Sequence, residues 1–487
     1  MKRGSLRAGH GGMFAMMAVA MATALPAMAQ QVDVGAPPPP ADEIDKPKPD
    51  AVEQDAGSGA RADTQRRTRS HMLHPRDPSP SSLAGDTQSS PPPGLIGDWQ
   101  EIRTRLGARG IGLSARYASE TAYNFRGGDR SLVAETGQFD VGALLDLDKL
   151  VGWRGAALQG TVTWRRGIDL TATAGLGALQ QVQEVYGRGQ TVRVTQLWLQ
   201  QKLGDKVEVK LGRTNPGEDF AVFSCHFQNL SFCGAQPGNL AGDYWYNWPV
   251  SQWGANVHVD VAPGVYVQGG AYEVNPRNLE NTFFIGHFKG ATGVLVPAEI
   301  GWTRGGDEGR VGSYKLGGWI STADGDDLVL DVNRQPRAVT GLAPLQRSSR
   351  YGVFASMQQQ LSGTSKDGRS LTGFSMFANV TFADRATTLT DNQVSVGLFY
   401  KGLAPSLPGD VIGLAVARTN INGRAETADR LAGKPPRDAE YAAELYYSVS
   451  PTEWLVVQPN VQWIHQPGGV RGARDVGVLG LKFALTL

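Results

Sequence analysis

Every second residue is apolar through Trp253-Gly254-Ala255-Asn256-Val257-His258-Val259-Asp260-Val261, and Asn256, His258 and Asp260 between them are polar. A period of two puts the two sets on opposite faces of a strand. The pattern recurs in Lys206-Val207-Glu208-Val209-Lys210-Leu211. It recurs again where Phe374, Met376, Ala378, Val380 and Phe382 alternate with Ser375, Phe377, Asn379 and Thr381, and at Val394, Val396, Leu398 and Tyr400. A soluble sandwich alternates too, so the number of segments decides. About sixteen of them fit between Gly110 and Leu487, roughly 24 residues for each strand with its connection, which suits strands of ~10 residues crossing a membrane with some long loops. Fourteen or eighteen strands satisfy the same arithmetic.

The final segment sets Leu479, Leu481, Phe483, Leu485 and Leu487 against Gly480, Lys482, Ala484 and Thr486. An amphipathic strand in this place resembles the closing strand of outer-membrane barrels, although those usually finish on Phe or Trp rather than on a leucine such as Leu487. At the other end Lys2, Arg3 and Arg7 precede an apolar stretch from Met13 to Leu25 and then Ala27-Met28-Ala29-Gln30. This is the form of a secretory signal covering residues 1–29, and it falls short of the roughly 20 residues of a spanning helix. The rest of the chain lacks a run of ~18 apolar residues, and the mean hydropathy is −0.27, which excludes a helical membrane protein but suits a barrel. With 62 glycines, 11 tryptophans and 13 tyrosines the composition favours turns and interfacial aromatic girdles. The 47 basic and 46 acidic residues nearly cancel, so there is no electrostatic case for nucleic acid, and a neutral solute fits.

Residues 30–93 carry Pro37-Pro38-Pro39-Pro40, Lys46-Pro47-Lys48-Pro49 and Pro91-Pro92-Pro93 with few large apolar side chains, and are expected to be a disordered, Pro-rich periplasmic segment. Residues 94–109 place Ile96, Trp99, Ile102 and Leu106 at helical spacing, which predicts one short helix leading into the barrel at 110–487. In an exported chain, Cys225 and Cys233 most simply close one disulfide; a zinc site that added His226 would still lack a ligand. No metalloprotease, nucleophile-elbow or P-loop motif is present. Gly110-Ile111-Gly112-Leu113-Ser114-Ala115 matches a loose dinucleotide fingerprint but runs into a strand, not a helix. His71 and His74 read as solvated histidines, and Asp324, Asp326 and Asp327 as an acidic loop tip. No cofactor or metal is expected.

The connection from Leu211 to Trp253 is far longer than a hairpin turn and gathers Arg213, Glu218, Asp219, Tyr244, Trp245, Tyr246 and Trp248. Folded inward, it would narrow a lumen, with charged groups bonding hydroxyls and aromatic faces packing on a pyranose; the alternative for each aromatic is a place in the girdles.

Several blocks then carry a resemblance in order along the chain. They are Leu211-Gly212-Arg213, Glu218-Asp219-Phe220, Cys225-His226-Phe227-Gln228-Asn229-Leu230-Ser231-Phe232-Cys233-Gly234, Trp253-Gly254-Ala255 and Gly270-Ala271-Tyr272-Glu273-Val274-Asn275-Pro276. Pro297-Ala298-Glu299-Ile300-Gly301, Val396-Gly397-Leu398-Phe399-Tyr400-Lys401-Gly402-Leu403, Gln458-Pro459-Asn460-Val461-Gln462-Trp463-Ile464 and Pro467-Gly468-Gly469 follow. Their succession resembles the carbohydrate-selective porin (OprB) family over roughly 94–487. The resemblance implies an all-β fold, a transmembrane antiparallel β-barrel of about sixteen strands with an inward-folded constriction loop. It implies the outer membrane of a Gram-negative bacterium, and passive, facilitated diffusion of monosaccharides such as glucose. By matching position it assigns Arg213, Glu218 and Asp219 to the constriction, and alternation adds Arg116, Lys210, Asp260 and Glu444 as lumen-facing. The expected partners are sugars and outer-membrane lipid, with no nucleic acid; a homo-oligomer and a monomer both stay open.

The rival functions are a general-diffusion or polysaccharide-export barrel and an outer-membrane hydrolase. A hydrolase needs a nucleophile beside a base, and Ser231 near His226 is the tempting pair, with no acidic group to orient it. The expectation is therefore a channel, not an enzyme.

Overall fold

The computed structural model describes residues 94–487 except 100, 224, 284–285, 306–308, 367–368, 405 and 408. The expected signal segment, the Pro-rich segment and His71 and His74 lie outside the described residues. Sixteen antiparallel strands close into a barrel. They are β1 (Ile111–Arg126), β2 (Val133–Asp146), β3 (Ala156–Gly167), β4 (Val192–Leu203), β5 (Val207–Thr214), β6 (Gln252–Ala262), β7 (Val265–Val274) and β8 (Gly293–Arg304). The circuit continues through β9 (Gly312–Ser321), β10 (Arg350–Gln360), β11 (Gly373–Ala383), β12 (Asn392–Lys401), β13 (Val411–Asn420), β14 (Ala439–Thr452), β15 (Leu455–His465) and β16 (Val476–Thr486). Each strand pairs with the next, and β16 returns to β1 with Arg116 opposite Thr486 and Tyr123 opposite Leu479. Closure leaves no unpaired edge, which is what an apolar layer demands of a backbone. Among the described residues no helix is long and apolar enough to cross a membrane, so strands do the crossing.

Short turns such as 204–206, 263–264 and 453–454 sit at one end, and the long connections 168–191, 215–251, 275–292, 322–349 and 421–438 at the other. In an outer-membrane barrel these are the periplasmic and extracellular ends. The alternation read from the sequence sorts onto the two faces. Leu211, Val257, Phe374, Val394, Val396, Leu398 and Leu479 are exposed on the outside, whereas Lys210, Asn256, His258, Asn379 and Lys482 are buried inside. The Gly110-Ile111-Gly112 run is simply the start of β1.

The predicted helix is shorter than 94–109: α1 spans Ile102–Ala108. Gly97, Trp99 and Glu101 take positive φ (62°, 49° and 68°), which breaks the helical path before it. The Leu95 N–H donates to the Thr486 carbonyl at 2.8 Å, tying this segment to the closing strand.

The apolar interior is built between the wall and loops folded into the barrel. Phe220, Tyr244 and Trp245 of the β5–β6 loop pack on Trp319 and Phe354 of the wall, and Phe223, Phe227 and Phe232 pack on Phe377, Phe399 and Tyr446. The inward-folded loop expected from the sequence is therefore present. The β3–β4 loop also folds inward, with Leu170, Val182 and Val185 buried against Ile464, Val476 and the inner faces of β1 and β2. It had not been expected. Asp327 is no exposed loop tip, because its carboxylate is fully buried between Arg347 and Arg424, each at 2.6 Å.

Candidate functional site

On β4–β7 the inward row carries Trp198, Gln200, Glu208, Lys210, Asn256 and His258, and Glu218 and Asp219 of the β5–β6 loop come down onto it to line one cleft. A short turn of helix at Pro216–Glu218 directs these acids inward, and Pro216 at its first position fits because that N–H would have no partner. Lys210 Nζ lies 2.7 Å from Asp219 Oδ1 and 4.0 Å from Glu218 Oε2. The same ammonium sits 5.4 Å from the Trp198 ring centre. Tyr272 donates to Asp219 Oδ2 at 3.1 Å, and Gln268 donates to the Asp219 carbonyl at 2.6 Å. Gly254 leaves open the space that the Tyr272 ring fills, so any side chain there would displace the phenol from Asp219. Glu218 also accepts from Gln196 and Asn215. Burial pushes its carboxyl up to about 7 against the pull of Lys210, and Asp219 beside it adds to the rise.

The predicted residues divide into those this cleft gathers and those it does not. Lys210, Glu218 and Asp219 meet, and Asp260 follows His258 on the same inward row, 3.3 Å from its Nε2. Arg116 also faces inward, but opposite Asp140 on β1–β2, away from the cleft on β4–β7. Arg213 lies on the row of Leu211, which faces the membrane. Its guanidinium stacks 5.8 Å from the Trp253 ring and bonds the Ser251 carbonyl at 2.7 Å and Asn278 at 3.1 Å, under the β7–β8 loop. Strand parity explains this: an odd number of residues from Lys210 puts Arg213 on the opposite face.

Glu444 faces inward as predicted, yet it is fully buried, and both its oxygens are taken by loop backbone, from the Gln228 N–H at 2.9 Å and the Asn229 N–H at 2.7 Å. It fastens the loop and offers no free oxygen to a solute. Sequence reasoning missed that this is a general device. Glu120 accepts from the Val185 N–H, Glu299 from the Ala221 N–H, and Glu440 from the Leu179 and Gly468 N–H groups. Lys482 joins wall to loop, 2.9 Å from Glu120 and 3.0 Å from Glu184 of the β3–β4 loop. Parity already placed Lys482 on the inner face of the closing strand; its partners come from chain hundreds of residues away.

The loop aromatics proposed for sugar stacking or for the girdles do neither. Tyr244, Trp245 and Tyr246 are fully buried, with Tyr244 accepting from Trp319 at 3.0 Å and Trp248 donating to Gln138 at 3.2 Å. They hold the loop to the wall; Trp198, which lines the cleft, is itself buried beneath the Lys210 ammonium. Cys225 and Cys233 form the expected disulfide. His226 packs on Phe399 with ring centres 4.8 Å apart, and burial pushes it down to about 3, with Lys401 and Lys482 adding to the fall. The buried Ser231 hydroxyl has no hydrogen-bond partner among the described residues, so no nucleophile–base pair forms there.

The inner wall is rich in amides, among them Gln138, Gln159, Gln196, Gln268, Gln462 and Asn460. Most of these amides are spent on the inward loops and on one another, with Gln462 donating to the Val182 carbonyl, Asn460 to Gln228 and Gln268 to the Asp219 carbonyl.

Comparison with known proteins follows the same line. The model of the family described as "Carbohydrate-selective porin, OprB family" matches residues 131–487. Porin B of Pseudomonas aeruginosa is 44% identical over 411 residues, covering 80% of this chain and 90% of that protein. The protein named "Putative porin QuiX" of Acinetobacter baylyi is 33% identical over 438 residues, covering 84% of this chain and 96% of its own length. The high pH structure of Pseudomonas putida OprB superposes with a TM-score of 0.78 at 40% identity, over 82% of this chain and 99% of that one. Relatives and fold alike are channels of the Gram-negative outer membrane and not enzymes, and the ordered barrel strands, inward loop and motif blocks have the same explanation: the chain belongs to the carbohydrate-selective porin (OprB) family.

Proposed function

We propose that the chain conducts small neutral sugars, monosaccharides such as glucose, down their gradient by facilitated diffusion. The observation that carries this reading is the cleft in which Lys210, Asp219 and Glu218 stand beside the Trp198 ring. A pyranose presents a rim of hydroxyls, and this cleft gathers charged and amide donors and acceptors that match such a rim, with Lys210 held over the Trp198 ring. His258 and Asp260 continue the polar row toward the periplasmic end, so hydroxyls released by Lys210 and Asp219 meet new partners before they leave. Each exchange replaces a hydrogen bond to water by one to the wall, with little net gain, and so permits release. Arg116 contributes to the charge of the lumen away from this contact, and Arg213 supports the rim from outside.

The test is ion current through single reconstituted channels with glucose titrated in. The reading expects saturable block that weakens in Lys210→Met and persists in Arg213→Ala. Block that ignores Lys210 would reject it.

A further inference from the structure

Outside the lumen, the extracellular rim from β13 round to β1 carries a basic and aromatic patch that sugar passage does not use. The Arg418 guanidinium carbon lies 5.9 Å from the Tyr441 ring centre, and its Nε donates to the Tyr441 hydroxyl at 3.2 Å. Tyr441 in turn packs 6.1 Å from His465, whose Nδ1 is 2.8 Å from Asp475. Two residues down the same face of β15, Trp463 carries Arg126 at 5.2 Å from its ring. Register makes the patch continuous, since Arg418 is opposite Tyr441, Tyr441 opposite His465, Trp463 opposite Gly477, and Gly477 opposite Arg126.

The patch sits directly above the apolar wall. Leu414 and Val416 on β13, Leu445 on β14, Val461 on β15 and Leu479 on β16 are the exposed outward side chains on its periplasmic side, and Tyr123 and Phe125 flank it on β1. These leucines and valines mark hydrocarbon, so the guanidinium groups stand at the depth of the outer-leaflet headgroups. An arginine at the bilayer midplane costs about 2–4 kcal/mol, but near the interface about 0–1. Held on an aromatic ring, it keeps its N–H edge available to an anion. The nearby carboxylates are engaged: Asp475 by His465, and Asp391, within electrostatic reach of Arg418, by Arg385 at 3.0 Å.

We infer that this rim binds the phosphorylated glycolipid headgroup of the outer leaflet, with Arg126 and Arg418 taking phosphate oxygens and Trp463 and Tyr441 flanking the acyl-chain boundary. Guanidinium and phosphate match in bidentate geometry, and the charges complement one another.

Native mass spectrometry of the full chain in detergent, with diphosphoryl lipid A added, tests this. The wild type should retain the lipid, and Arg126→Gln/Arg418→Gln should retain it about tenfold less, as loss of charge-assisted contacts implies. The double lysine variant should keep an intermediate level, and lipid A stripped of phosphate should bind the wild type no better than the diphosphoryl form binds the glutamine variant. Conductance and sugar block confirm that each variant is folded, and the single variants serve if the double one does not assemble. Equal retention by wild type and glutamine variant, or equal binding of the phosphate-free lipid, would overturn the inference. So would a change of oligomeric state with lipid retention unaltered, which would make this face a contact between copies.

Discussion

At the residue scale, parity along a strand decides which side chains a solute can meet. Lys210 and Arg213 lie three residues apart in one strand, yet one faces the lumen and the other the outside. Hydrogen bonds to charged groups are worth about 1.5–3 kcal/mol, so Lys210→Met should weaken glucose block roughly tenfold or more, while Arg213→Ala leaves it within about twofold. Titrated single-channel currents read both. Glu218 supplies a pH signature. Burial holds its carboxyl near 7, so acidification through that value neutralises it and removes one negative charge from beside Lys210 and Asp219. Cation preference, measured as reversal potential across a salt gradient, should fall as pH drops from 8 to 6, and Glu218→Gln should show the low-pH value throughout. The sign for stability is the reverse of a surface carboxylate: a raised carboxyl favours the fold when protonated, and that contribution is lost as pH rises from its unfolded range through about 7.

At the scale of elements, the loops inside the barrel define the passage, and the wall holds them through buried side chains. Each oxygen of Glu444 accepts one loop N–H, so Glu444→Ala leaves those donors buried and unsatisfied. The expected outcome is a folded barrel with larger, noisier conductance and loss of sugar block, seen in planar bilayers. The disulfide at Cys225–Cys233 closes a short segment of the same loop. Loop-closure entropy puts its contribution at roughly 2–3 kcal/mol, so reduction should lower the melting temperature and increase current flicker without dissolving the barrel. The sequence announced the β5–β6 loop through its length and its cysteines. The β3–β4 loop gave no such sign, because its inward fold depends on Glu120, Glu440 and Lys482, partners distant in the chain. The aromatics were visible but not their role, since an aromatic residue in a loop reads alike whether it meets a sugar, a lipid or the inner wall.

For the whole molecule, strand alternation made the architecture legible from Gly110 to Leu487. A face that must meet lipid and a face that must meet water impose period two on every strand, and this survives any change in loops. What remained hidden was occupancy of the interior, because a wide barrel tolerates either open water or packed loops behind the same alternating wall. The central claim is a sugar-binding channel. Its most direct test is single-channel conductance of the purified full chain in a planar bilayer with glucose titrated into the bath. The account predicts stable channels whose ion current falls saturably with glucose and recovers on its removal; steady conductance indifferent to sugar would contradict it.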